Sequence, residues 1–299
     1  MTHRDTEKTA PEDARSNAAV VWFTEEACRD VAVAGGKGAS LARMTADGLP
    51  VPPGFVILSH VLQDSLDIGR MLELAASRSA TELQELVAAT EPPREQITAA
   101  YEILVGERVT ATYKHVGDKK VAVRSSAVAE DSEAASYAGQ QETYLFVEGA
   151  EDVCARVVDC WASFFSERAL FYRAEKGSLE DLRMAVVVQK MVDPEKSGVI
   201  FTVDPVRRRR DRMVVEAVRG IGEQVVSGEV TPDQYTLDRK GKVKREKIVA
   251  DRILTEDELR KLGELGKQLE ERHGVAQDIE WAMVGDEVYL LQSRPVTTM

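Results

Sequence analysis

The chain has 299 residues, 43% of them hydrophobic, with 51 acidic against 39 basic side chains and a net charge of −12. That apolar content suffices for one large or two modest cores, and the negative balance argues against a nucleic-acid binder, which needs a basic surface. No apolar run reaches membrane-spanning length, no signal-peptide core opens the chain, and Cys28, Cys154 and Cys160 lack CxxC spacing, so free thiols in the cytoplasm are expected.

In chain order, residues 1–16 are polar and charged and read as a disordered tail. Val20–Phe23 reads as a short strand. The glycine-rich turn Gly35-Gly36-Lys37-Gly38 follows, with a helix expected over Ala39–Asp47. Pro50, Pro52, Pro53 and Gly54 form a rigid turn into a strand over 55–58. Residues 60–116 are helical by period, broken at Pro92-Pro93. Val121-Ala122-Val123 is a strand, and 150–176 an amphipathic helix with Val153, Val157, Trp161, Phe164 and Phe165 on one side. Strands at 185–192, 197–203 and 213–217 precede a glycine-rich loop at 220–228. A helix over 255–273 ends at Gly274, and the last element is a hairpin of roughly 278–284 and 288–294.

Two segments read as phosphate sites. Glycines in 35–38 let backbone N–H groups approach phosphate oxygens, Gly36 among them, and Lys37 supplies a compact cation beside a helix N-terminus. The plainer reading is a surface turn with a solvated lysine. In VAVRSSAVAEDSEAASYAGQQETYL (121–145), Arg124 ends an apolar strand, where its fork can hold two phosphate oxygens. Ser125 and Ser126 add hydroxyls, and 132–139 has the composition of a closing lid. The competing reading pairs Arg124 with Glu130 or Asp131.

The terminal hairpin permits a register argument. A three-residue loop, Gly285-Asp286-Glu287, sets Glu280 opposite Gln292 and Asp278 opposite Arg294. These four then share one face, and Ile279, Trp281, Met283, Tyr289 and Leu291 share the other. Glu280 with the amide oxygen of Gln292 makes a hard-oxygen set suited to Mg²⁺. Asp278 would orient the metal or activate a water or hydroxyl, and Arg294 would hold a terminal phosphate. A salt-bridge ladder is the plainer alternative. The run Arg207–Arg210 reads as a solvated loop or as a dock for an acidic partner.

The chain resembles the ATP-binding domain of phosphoenolpyruvate synthase, pyruvate phosphate dikinase and rifampin phosphotransferase. The resemblance runs through GGKGASLARM…GLPVPPGF (35–55), the 121–145 segment, WASFFSERALFYR (161–173), VVVQKMVDPEKSGVIFTVDP (186–205), GIGEQVVSGEVTPDQY (220–235) and QDIEWAMVGDEVYLLQSRPV (277–296). It implies an α+β, two-lobed, ATP-grasp-like fold, with an N-terminal lobe over 17–190 and a C-terminal lobe over 191–299. It also implies ATP and Mg²⁺ between the lobes. Thr143 is then near the phosphates, Gln189, Lys190, Met191 and Val192 near the adenine, and Glu216 near the ribose. The family carries Val218 and Arg219 as an aromatic and a small residue.

In that family the β-phosphoryl passes to a histidine on a further domain. His3, His60, His115 and His273 lack the small-residue context of such a histidine, so the acceptor would sit on a separate polypeptide. A self-sufficient kinase or adenylating enzyme, with acceptor choice set by 128–140 and 219–230, is the alternative. A non-catalytic nucleotide-binding module is a third reading.

Overall fold

The computed structural model describes residues 18–77, 79–106, 116–128, 142–167, 183–222 and 230–296. The expected tail and the lid 132–139 lie outside the described residues, as do Glu130, Asp131 and most of loop 220–228.

Two antiparallel sheets organise the chain. The first runs in the order β1 (Val20–Trp22), β2 (Gly54–Ile57), β5 (Met184–Val192), β3 (Val116–Ala127), β4 (Thr143–Glu148). The second runs β11 (Glu287–Pro295), β10 (Gln277–Val284), β6 (Lys196–Phe201), β7 (Arg212–Arg219), β8 (Asp233–Asp238), β9 (Val243–Lys247). The chain leaves the first sheet at Val192 and enters the second at Lys196. Every residue of β5 is buried, in keeping with the apolar run over 184–188, and Gln189 and Lys190 are buried with it.

Helices α2 (Val61–Asp64), α3 (Ile68–Ala76), α4 (Ala80–Ala88) and α5 (Arg94–Val105) fill the expected helical stretch, and α5 starts directly after Pro93. That stretch stops short of 116, however, because β3 begins there. Helix α6 (Ala150–Ser163) buries Val153, Val157 and Trp161 against β3, β4 and β5, and Phe164 and Phe165 are buried just beyond its end. Helix α7 (Glu256–His273) opens on a capping box between Thr255 and Glu258 and closes on left-handed Gly274, the start and stop that its sequence dictates. Leu259, Leu262 and Leu269 of α7 join Ile200, Met213, Val215, Tyr235, Leu237, Ile279 and Trp281 in the core behind the second sheet.

One helix joins the sheets. Helix α1 (Val31–Ala46) contacts β3 and β5 of the first sheet and β11 of the second. It begins earlier than the expected Ala39 and is broken at Gly35, whose φ of 68° is a left-handed conformation. A Cβ at Gly35 would lie 2.1 Å from the Ser126 carbonyl oxygen, so both the turn and the close approach require glycine. The Ser40 hydroxyl donates to the Ser293 carbonyl at 2.7 Å, and the Leu290 N–H to the Pro50 carbonyl at 2.8 Å, tying the hairpin of the second sheet to α1 and to the turn before β2.

The three cysteines are free and buried. Burial pushes the Cys28 thiol up to about 12 and raises Cys154 and Cys160 as well, which makes all three poor nucleophiles. No helix among the described residues is long and apolar enough to cross a membrane.

Candidate functional site

Arg124 is not at a strand end, as its sequence suggests. Strand β3 continues through Ser125, Ser126 and Ala127, which pair with Val186, Ala185 and Met184 of β5. The acidic stretch after the strand therefore starts three residues later, and the serines belong to the sheet. Alternation along β3 sends Arg124 and Ser126 to one face and Ser125 to the other.

The face bearing Arg124 and Ser126 receives the glycine turn. The Ser126 hydroxyl donates to the Ala34 carbonyl at 2.9 Å and accepts the Gly38 N–H at 3.2 Å. Gly38 N–H is thereby taken, and Gly36 is buried beside it. The Lys37 ammonium is buried and donates to the Ser125 carbonyl at 3.0 Å. The Ser125 hydroxyl lies 3.4 Å from the Glu142 carbonyl, and Thr143, half-buried, sits opposite Arg124 on β4.

Arg124 crosses to the second sheet. One terminal nitrogen donates to Glu280 Oε2 at 2.9 Å and to Gln292 Oε1 at 2.7 Å, and the other to the Leu291 carbonyl at 3.1 Å. Its Nε–H is buried with no partner among the described residues. Among the described residues the acidic partner of Arg124 is Glu280, 156 positions away in sequence; Glu130 and Asp131, the expected alternatives, lie outside the described residues.

The hairpin pairs as expected at its open end: Asp278 faces Arg294 and Glu280 faces Gln292. The mechanism differs. The turn has two residues, Gly285 and Asp286, since Val284 pairs with Glu287. A bulge between Glu280 and Trp281 leaves Leu291 extra on β11, and that restores the register of the polar pairs. Tyr289 and Leu291 consequently do not join Ile279, Trp281 and Met283. Val288 and Leu290 take those core places. Tyr289 instead forms a small separate apolar cluster with Ala282 and Val192, flanked by Val284 and Leu291.

Registers across the second sheet resolve its site face into three rows. The first is Arg294–Asp278–Phe201–Val214–Thr236. The second is Gln292–Glu280–Val199–Glu216–Gln234. The third is Tyr289–Ala282–Ser197–Val218. The face is thus ionic at one end and apolar at the other, and the carboxylates of Glu280 and Glu216 occupy the middle row.

Arg294 Nε donates to Asp278 Oδ2 at 2.9 Å. The Asp278 carboxyl is nevertheless raised above its ordinary 3.8, because burial outweighs the attraction of Arg294, and the charges of Glu280 and Glu216 push the same way. Gln234 Nε2 donates to Glu216 Oε1 at 3.0 Å. At the end of the first sheet nearest the third row, the Gln189 side chain is spent on the Pro52 carbonyl at 3.2 Å, and the Lys190 N–H on the Pro53 carbonyl at 2.9 Å. Met191 and Val192 follow, both buried, with Val192 in the apolar cluster.

Three contributors were not anticipated from sequence: Ser126 as the clamp of the glycine turn, the bulged carbonyl of Leu291, and Gln234. The last lies on a strand not expected at all, although Asp233, Tyr235 and Leu237 alternate as buried residues with the half-buried Gln234. The arginine run forms an exposed turn. Asp204 holds Arg207, and Asp211 holds Arg209 and Arg212, which leaves only Arg208 and Arg210 of the run without an acidic partner among the described residues.

The chain matches the family model described as pyruvate phosphate dikinase, AMP/ATP-binding domain, over residues 31–253 and 238–299. A probable phosphoenolpyruvate synthase of Methanothermobacter thermautotrophicus is 40% identical over 94% of this chain and 46% of its own length. The phosphoenolpyruvate synthase of Pyrococcus furiosus is 34% identical over 94% of this chain and 44% of its own. A rifampicin phosphotransferase of a Streptomyces species is 36% identical over 95% of this chain and 36% of its own. The chain thus spans less than half the length of these relatives. A solved structure of D-alanyl-alanine synthetase A from Vibrio cholerae aligns over 87% of this chain and 58% of that one, at TM-score 0.37 and 12% identity, a likeness too slight to carry an argument.

Proposed function

Because this chain belongs to the pyruvate phosphate dikinase AMP/ATP-binding domain family, we propose that it holds ATP and Mg²⁺ between its two sheets as the phosphotransferase component of a reaction completed on another polypeptide or segment. We assign it the two-lobed ATP-grasp type of architecture, with lobes over 17–190 and 191–299, and a cytoplasmic address, in keeping with its free buried thiols. Arg124 carries the functional reading: a guanidinium from the first sheet is buried against two side-chain oxygens of the second, with one N–H unpaired among the described residues. A buried unpaired donor on a cation suits an anionic oxygen.

The phosphates lie at the ionic row, where Lys37, Arg124 and Arg294 offset their charge, with Ser125 and Thr143 close by. Adenine lies at the apolar end against Met191 and Val192, with Gln189 and Lys190 just before them on the same buried strand. Glu216 faces the sugar. The oxygens of Glu280 and Gln292 that accept from Arg124 form the hard-oxygen set that fits Mg²⁺. Mg²⁺ held by Glu280 and Gln292 would supply positive charge to offset that developing on the transferred group. Asp278, with its raised carboxyl, would help orient the metal or take a proton from an attacking water or hydroxyl.

Phosphoryl transfer needs positioning and electrostatics rather than a protein nucleophile in this chain. A histidine held elsewhere takes the β-phosphoryl group as its bond to AMP breaks, and water takes the γ-phosphoryl group, which leaves as phosphate. Incubating the chain with MgATP and the remaining segment of a full-length relative, with products read by ³¹P NMR, tests this. AMP and phosphate are expected; ADP as the sole nucleotide product contradicts it.

A further inference from the structure

The middle row of the second sheet has a near-symmetry that the proposed chemistry does not use. Val199 is flanked on both sides by a carboxylate, Glu280 and Glu216, and each carboxylate is flanked in turn by a carboxamide, Gln292 and Gln234. The two ends are nonetheless chemically unlike. Glu280 meets a guanidinium, whereas Glu216 meets only the neutral amide of Gln234. Glu216 Oε2 has no hydrogen-bond partner among the described residues.

We infer that Gln234 is a positioning residue that fixes the Glu216 carboxylate to accept the ribose 2′-hydroxyl, so that the site selects ribonucleotides over 2′-deoxyribonucleotides. This rests on the ATP reading above. A nucleotide with its phosphates at Asp278 and Arg294 and its base at Val192, Ala282 and Tyr289 has its sugar over the middle row. Glu216 stands two strand spacings from Glu280, about 10 Å, on the side away from the hairpin. A neutral donor on one carboxylate oxygen orients the group without neutralising it. The free oxygen remains a charged acceptor, which suits a hydroxyl and repels a phosphate.

Binding can be measured by calorimetry, independently of turnover, with MgATP and its 2′-deoxy analogue. The wild-type chain is expected to favour ATP by at least about tenfold, the worth of one hydrogen bond to a charged acceptor. In Gln234→Leu the preference should drop to about threefold or less through weaker ATP binding, with the deoxy analogue changed by less than about twofold. Glu216→Gln should lower the preference in the same way, which covers the case of a Gln234→Leu chain that does not fold. A role in packing alone would instead weaken both nucleotides by one factor. That result, or a wild type that binds both alike, overturns the inference. A wild type that binds neither nucleotide sinks the ATP reading itself, and this inference with it.

Discussion

The two site arginines of this protein sit about one hairpin row apart and have opposite physical characters. Arg124 comes from the first sheet, its side chain is 10% exposed, and it reaches three acceptors on the second sheet. Arg294 belongs to the hairpin itself, is 49% exposed, and pairs with Asp278 on the adjacent strand. Burial and three acceptors on the other sheet make Arg124 a fixed part of the contact between the sheets. Solvent reaches half of the Arg294 side chain and screens its pairing with Asp278. One cation is thus fixed across the two sheets, and the other is held along one strand pair at the solvent edge.

The sharpest way to break that contrast is Arg124→Ala. It strands the partly buried Glu280 carboxylate and removes a tie between the sheets, with an expected cost of about 3 kcal/mol in urea unfolding. Arg124→Lys should recover less than half of that, because an ammonium cannot span two side-chain oxygens and a carbonyl in the guanidinium's geometry. Gly35→Ala acts on the same strand from the other side. Its Cβ would meet the Ser126 carbonyl and the backbone would be forced at positive φ, so about 2 kcal/mol of stability should be lost. ATP affinity should fall with it, because the turn that carries Lys37 is displaced.

Arg294→Ala should cost less than Arg124→Ala, about 1 kcal/mol, because Arg294 is half-exposed although its partner Asp278 is largely buried. Its signature is instead a titration. Arg294 holds the Asp278 carboxyl down against burial, so its removal should raise that carboxyl further, a shift readable by NMR of the side-chain carbon. The sign for stability follows: a raised folded-state value favours the protonated form. The Asp278 contribution is therefore full below its ordinary 3.8 and is lost as pH rises through the raised value. The window of loss should widen upward in the variant.

Short-range signals in the sequence were informative where one residue type has one job. Pro93 before α5, the Thr255 and Glu258 capping box, and Gly274 fix helix ends by local geometry. The pairing of Asp278 with Arg294 and of Glu280 with Gln292 was legible because only one register brings the polar residues together. The bulge was not, since an extra Leu291 and a shorter turn give the same pairs at the open end as a longer turn without a bulge. The face of Tyr289 was lost with it. Arg124 looked like the end of a strand because polarity rises after Val123, yet Ser125 and Ser126 are buried polar residues satisfied by Glu142, Ala34 and Gly38. Such satisfaction depends on partners far away in sequence, which no local pattern carries. The partner of Arg124, across 156 positions, was hidden for the same reason.

The central claim is that nucleotide binds between the two sheets, against the glycine turn, the buried strand β5 and the hairpin together. Amide hydrogen exchange of the chain with and without MgATP tests it most directly. Added protection is expected in three stretches at once, 34–40, 186–192 and 278–294, with little change along α7 behind the second sheet. Protection confined to one sheet, or centred on α7 or on the arginine turn at 204–211, would contradict it.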